Sequence, residues 1–114
     1  MTPKIGCHVS IAGGVFNAPK RAHELGAECF QIFSRSPRGG KAPELTEEVL
    51  TQWRSEFKKW GISNAYIHTP YYINFASTNP RIQHGSVSVV RDELERGSLL
   101  GVKYVMTHLG SAKD

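Results

Sequence analysis

The sequence predicts an α/β protein with a parallel sheet, and three observations carry that expectation. Short apolar runs alternate with helical patterns in the order strand, helix, strand, helix, strand, helix, strand, as in proteins whose helices cover parallel strands. The runs are mostly apolar along their length, as strands covered on both faces are. Two of them end on a histidine, His68 and His108, 40 residues apart with one helical pattern between. That is the spacing of a βαβ unit, whose strands are parallel and commonly neighbours.

The first strand is predicted from about Lys4 to His8, running out into Ser10-Ile11-Ala12-Gly13-Gly14. The glycine pair lacks dinucleotide or P-loop spacing and reads as a tight turn. A helix from about Val15 to Leu25 accommodates Pro19 only in its first turn, where a missing N–H is no loss, and Gly26 closes it. Strand two is about Cys29 to Phe33. The next helix has the clearest start: Thr46 as N-cap, Glu47 and Glu48 in the first turn, Leu45 and Leu50 placed as a hydrophobic staple. Val49, Leu50, Trp53, Phe57 and Trp60 recur at helical spacing, so both tryptophans read as packing residues, and Gly61 ends the helix. Strand three runs from Asn64 to His68. Asn79-Pro80 then opens a third helix, with Ile82, Val89, Val90, Leu94 and Leu100 as its expected buried side and Gly85 as a weak point. Gly101 ends it, and strand four is predicted over Lys103 to His108.

Four strands and three helices in 114 residues amount to one domain at most. They form a little under half of an eight-stranded β/α barrel, which takes about 250 residues. Residues 1–114 are therefore expected to be one incomplete barrel domain. An apolar content of 39% with 21% charged residues describes a globular protein, neither disordered nor membrane-embedded. No apolar run approaches the roughly 20 residues of a membrane helix. Met1-Thr2-Pro3-Lys4-Ile5 enters a strand at once, so no signal peptide is expected. Cys7 and Cys29 fall in predicted buried strands, have no metal-type spacing, and read as small core residues of a reducing compartment. A cytoplasmic location is the resulting expectation.

The formal net charge of +4 permits a polyanionic partner but does not demand one. Placement says more: Arg35, Arg38 and Lys41 cluster among Pro37, Gly39, Gly40 and Pro43, with no acid between Glu28 and Glu44. Neighbouring strands lie roughly 4.8 Å apart, so imidazoles at the matching ends of two strands can reach one metal ion. The carboxyl edge of a parallel barrel is also where such chemistry sits. The same placement fits two inert, hydrogen-bonded strand-end histidines. His23 and His84 fall on helices and are expected at the surface.

Five blocks, in order and each after a strand, resemble the endonuclease IV family of apurinic/apyrimidinic endonucleases. They are Ile5 through Gly14 (IGCHVSIAGG), Phe30-Gln31-Ile32-Phe33, Ser36-Pro37-Arg38, His68 through Asn74 (HTPYYIN), and Thr107 through Ser111 (THLGS). The resemblance implies a TIM barrel and an enzyme that cleaves the DNA phosphodiester bond 5′ to an abasic site in base excision repair, with three clustered zinc ions. His68 and His108 match two ligands of one of those zincs. By the same resemblance a fifth-strand glutamate would complete that zinc and bridge it to the second. This chain thus supplies two ligands of one metal and no catalytic residue beyond them. His8 matches a histidine near the site that is not a ligand. Arg38 and Tyr71, with Tyr72 and Ile73 as further apolar surface, match loops that enter the minor groove and hold the duplex open around the extruded nucleotide. Asn74 is expected to orient that loop through side-chain hydrogen bonds. Where the family often carries a bulky aromatic two positions beyond the arginine, this chain has Gly40.

Those roles are physically sound: zinc lowers the pKa of water to about 7, and an inserted side chain replaces stacking lost when a nucleotide leaves the helix. The implied partner is double-stranded DNA with abasic sites, with no membrane association. The complete enzyme is expected to be monomeric, and this chain alone to be inactive and prone to self-association. Two other readings stand beside it. One is a sugar isomerase or epimerase of the xylose-isomerase-like barrels, which share the fold and metal-bearing strand ends. The other is a non-catalytic fragment that binds DNA or zinc weakly.

Overall fold

A computed structural model describes residues 2–113. The strands are β1 (Gly6–His8), β2 (Cys29–Ile32), β3 (Asn64–His68) and β4 (Tyr104–Met106). The helices are α1 (Ala18–Glu24), α2 (Glu47–Trp60) and α3 (Pro80–Leu100). The strands form one parallel sheet in chain order, β1-β2-β3-β4. This is the expected architecture: a four-stranded portion of a TIM barrel with its helices on one face.

Local chemistry accounts for the element ends. Pro19 lies in the first turn of α1, after a 3₁₀ turn at Val15–Asn17, so the regular helix starts three residues later than the pattern suggests. The Thr46 hydroxyl accepts from the Val49 N–H at 3.2 Å, capping α2. The Asn79 side chain accepts from the Arg81 N–H at 3.0 Å and caps α3. Gly61 and Gly101 end α2 and α3 in the left-handed conformation. The two edge strands are shorter than the apolar runs that encode them: β1 begins opposite Cys29, the first residue of β2, and β4 ends opposite His68, the last of β3.

The register sorts side chains onto two faces. Cys7, Phe30 and Ala65 form one row toward the helices, and Ile32, Ile67 and Val105 the next. There all of these but Cys7 meet Ala18, Ala22, Leu50, Trp53 and Leu100 in a single core. Trp53 is 2% exposed, and its indole N–H donates to the Leu100 carbonyl at 2.9 Å. Trp60 is only partly buried, its indole N–H held by Glu56 at 2.6 Å. Cys29 is buried, but Cys7 is exposed, contrary to expectation. It sits on the edge strand, beyond the cover of the helices.

Helix α3 departs most from its apolar pattern. Its buried residues are Ser86, Glu93, Arg96, Gly97 and Leu100. Ile82 and Leu94, expected inside, are exposed, and Val89 and Val90 are partly buried. The buried face carries an ion cluster together with Gly97 and Leu100, while Ile82 and Leu94 of the expected apolar side face outward.

Candidate metal centre and nucleic-acid face

In the row on the face away from the helices stand His8, Gln31, Tyr66 and Tyr104. This is the face that becomes a barrel interior. The Tyr66 and Tyr104 rings stack with centroids 5.8 Å apart. One row further toward the carboxyl ends, His68 pairs with Met106. His108 lies two residues beyond Met106, past the end of β4, and the two-residue alternation of an extended chain returns it to the same side as His68. The imidazole centroids are 5.2 Å apart.

His68 is buried, and its Nδ1 lies 2.6 Å from the Thr69 carbonyl. A carbonyl only accepts, so Nδ1 carries the proton and the Nε2 lone pair is left free. A hydrogen bond to the other ring nitrogen is the usual way a metal-binding histidine is held in its tautomer. His108 is exposed. Its loop is tied to the end of β3 by Thr69 N–H donating to the Met106 carbonyl at 2.9 Å and by the Thr69 and Thr107 hydroxyls 3.0 Å apart. Two imidazoles so placed fit half of a tetrahedral nitrogen site. Among the described residues no group of three or more histidine, cysteine or acidic side chains stands together.

Phe33 links the other predicted residues. Its ring lies 4.5 Å from His8, 5.2 Å from His68 and 5.1 Å from Tyr71, centroid to centroid. Sequence reading placed Phe33 in a strand and gave it no role at the site. Its register position beside His68 was the available signal. The Gln31 amide donates to His8 Nδ1 at 3.0 Å. Partial desolvation at the exposed His8 pushes its pKa below the ordinary histidine value, and the nearby His68 lowers it further.

Tyr71 and Tyr72 project from the loop after β3, 67% and 40% exposed. Arg38 and Lys41 are exposed on the loop after β2. The Tyr71 N–H donates to the Pro37 carbonyl at 3.0 Å, joining the two loops. Two sequence expectations need correction. Ile73, expected to add apolar surface, is 4% exposed and belongs to the protein's own packing. Arg35 does not join the basic surface: it is 8% exposed, with its Nε on Glu93 at 2.7 Å and a second nitrogen on Asp92.

Glu93, fully buried, also accepts from the Ser34 hydroxyl at 2.9 Å. Arg96 donates to the Ser34 hydroxyl, the Ser34 carbonyl and the Pro43 carbonyl at 2.7–2.8 Å. The Ser34–Pro43 segment, which carries Arg38, is thereby clamped to α3 at both ends. Sequence reading missed this cluster. An acid and a base three apart, Glu93 and Arg96, inside the apolar spacing of a helix were the trace it left.

A parallel β/α sheet with paired histidines at its carboxyl edge defines part of a β/α barrel. The chain belongs to the xylose isomerase-like TIM-barrel family, whose model matches residues 19–114. Within that group it is similar to proteins named probable endonuclease 4. It is 42% identical to the one from Cenarchaeum symbiosum over 110 residues, covering 95% of this chain and 39% of that protein. To the one from Methanoculleus marisnigri it is 44% identical over 106 residues, covering 93% and 38%. The crystal structure of endonuclease IV from Thermus thermophilus superposes with a TM-score of 0.88 at 37% identity, covering 97% of this chain and 42% of that one. The resemblance read from the sequence motifs is borne out. The chain spans about two fifths of the length of the curated relatives it matches.

Proposed function

We propose that the protein carrying this chain is a zinc-dependent endonuclease that cleaves DNA 5′ to abasic sites in base excision repair, in the cytoplasm. The observation that supports it best is the paired imidazoles of His68 and His108 beside exposed Tyr71 and Arg38, in a chain similar to endonuclease 4 proteins. His68 and His108 would hold one zinc, the rest of its shell coming from outside this chain, with two further zincs completing the cluster. Zinc, when bound, activates water for attack on phosphorus and offsets charge building on the phosphate oxygens. The residues of this chain position the substrate. Arg38 and Lys41 meet the backbone, Tyr71 and Tyr72 fill the space vacated by an extruded nucleotide, and His8, packed on Phe33 and held by Gln31, lines the pocket behind His68. Cys7 and Cys29 are free thiols, as a reducing compartment permits. No helix among the described residues is long and apolar enough to cross a membrane. The complete protein is proposed to act as a monomer.

The deciding assay uses the full-length protein with zinc and a duplex labelled at one end that carries a single abasic site. A single product ending at the site's 5′ side is expected, abolished by His68→Ala. Equal cutting of undamaged duplex, or full activity in the variant, would overturn the reading. The second reading, a sugar isomerase or epimerase on the same barrel, is supported by the family it shares. It leaves the exposed Tyr71 and Tyr72, joined through Pro37 to the Arg38 loop, without a task.

A further inference from the structure

Asn74 uses both ends of its amide to join two loops. Its Nδ2 donates to the Ser111 carbonyl at 2.9 Å, and its Oδ1 accepts from the Ser111 N–H at 3.0 Å and from the Ala76 N–H at 3.1 Å. The next residue continues the seam, the Phe75 N–H donating to the Leu109 carbonyl at 3.1 Å. The Asn74 N–H is itself held by the Ser86 hydroxyl at 2.8 Å, which anchors the junction to α3. Gly110 has φ +99°, and a Cβ there would fall on the Asn74 side chain. The glycine is thus required both by its backbone angle and by the closeness of the amide.

We infer that Asn74 is a positioning residue that locks the Tyr71–Tyr72 loop to the His108 loop, so that metal binding at His108 orders the loop that meets DNA. The inference rests on the proposed reading of His108 as a zinc ligand. The geometry favours it because Ser111 and Leu109 lie three and one residues from His108, while Tyr72 lies two from Asn74. A paired amide-to-backbone contact fixes both separation and orientation, where a single hydrogen bond leaves a hinge. Residues that orient a ligand from behind typically change metal affinity by 10- to 100-fold when removed.

The test is hydrogen–deuterium exchange on the full-length protein, metal-free and with zinc, followed over residues 71–76 and 107–113. In the wild type, zinc is expected to slow exchange in both segments. In Asn74→Ala, protection should survive within 107–113 but vanish from 71–76, with zinc lost to a chelator about tenfold faster. Asn74→Asp keeps the acceptor for Ser111 and Ala76 but loses the donor, so it should retain more of the transmitted protection than alanine does. Gly110→Ala should reproduce the alanine phenotype from the other side of the contact, and thermal melts establish that each variant is folded. Undiminished zinc protection of 71–76 in the Asn74 variants, or wild-type protection confined to 107–113, overturns the inference. If the wild type takes up no zinc, the metal reading itself fails. The lock is then judged on metal-free protein, where the Phe75 and Ser111 amides should exchange at least tenfold faster in Asn74→Ala, and equal rates would remove it.

Discussion

At the scale of single residues, the proposed site separates into groups that would hold metal and groups that would hold DNA. His68 and His108 bring their imidazoles to 5.2 Å, and the Thr69 carbonyl accepts a hydrogen bond from His68 Nδ1. Replacing either histidine with alanine in the full-length protein should cut bound zinc by at least one ion per molecule, measured by elemental analysis. Tyr71 packs its ring on Phe33, which stands between it and His68. Tyr71→Ala is therefore expected to leave zinc content unchanged. It should weaken binding to an abasic duplex about 10- to 100-fold, the range of roughly 1–3 kcal/mol for an aromatic stacked on a base. Arg38→Ala should lower the slope of log affinity against log salt by about one if it meets one phosphate. Loss of zinc from the tyrosine variant would count against the assignment, as would an unchanged salt slope in the arginine variant.

At the scale of elements, the decisive packing is between α3 and the segment after β2. Glu93 is the shared carboxylate of Arg35 and Arg96 and accepts from Ser34 as well. Burial depresses the Arg96 pKa, Glu93 holds it up, and Arg35 opposes. Taking away the acid would leave Arg35 with only the half-exposed Asp92 as counter-charge and Arg96 with only neutral oxygen acceptors. Breaking a buried ion cluster from one side typically costs about 3–5 kcal/mol. Glu93→Ala should therefore destabilise the full-length protein by that order, read from urea unfolding. It should also loosen the Arg38 loop, seen as faster exchange over residues 35–43. A loss below about 1 kcal/mol would mean the cluster is solvated in practice. The caps act on a smaller scale. Thr46→Ala removes the hydroxyl that holds Val49 N–H and should cost about 1 kcal/mol.

At the scale of the whole molecule, the four-stranded sheet has β1 and β4 as its edges. The face away from the helices leaves Tyr104 61% and Met106 40% exposed, and α3 turns Val87, Leu94 and Leu99 outward. Open strand edges beside apolar surface invite pairing with another chain. The 114-residue chain by itself is expected to self-associate, giving a concentration-dependent mass by light scattering. It is also expected to show no cleavage of an abasic duplex with added zinc. Turnover by this chain, abolished by His68→Ala, would show that the site can be completed within such an assembly.

What the sequence by itself determined was everything written in local code. The β/α order, the Thr46 and Asn79 caps, the glycine stops at 61 and 101, and the bounds of β3 follow from propensity, spacing and capping, which act within a few residues. The histidine pair was legible too, because a βαβ repeat converts sequence distance into adjacency. Only the tertiary structure decided where Arg35 and Cys7 stand. Arg35 sits in a basic loop by composition, yet partners 57 and 58 residues away, Asp92 and Glu93, draw it inside. Cys7 lies in a strand that is apolar by pattern, yet its place at the sheet edge leaves it exposed. That Asn74 would orient its own loop was legible, as its contact to Ala76 shows, but its partner Ser111 was not, since those two contacts reach 37 residues along the chain. Burial and pairing at such distances are set by which elements the fold brings together, and no local window of the sequence contains that information.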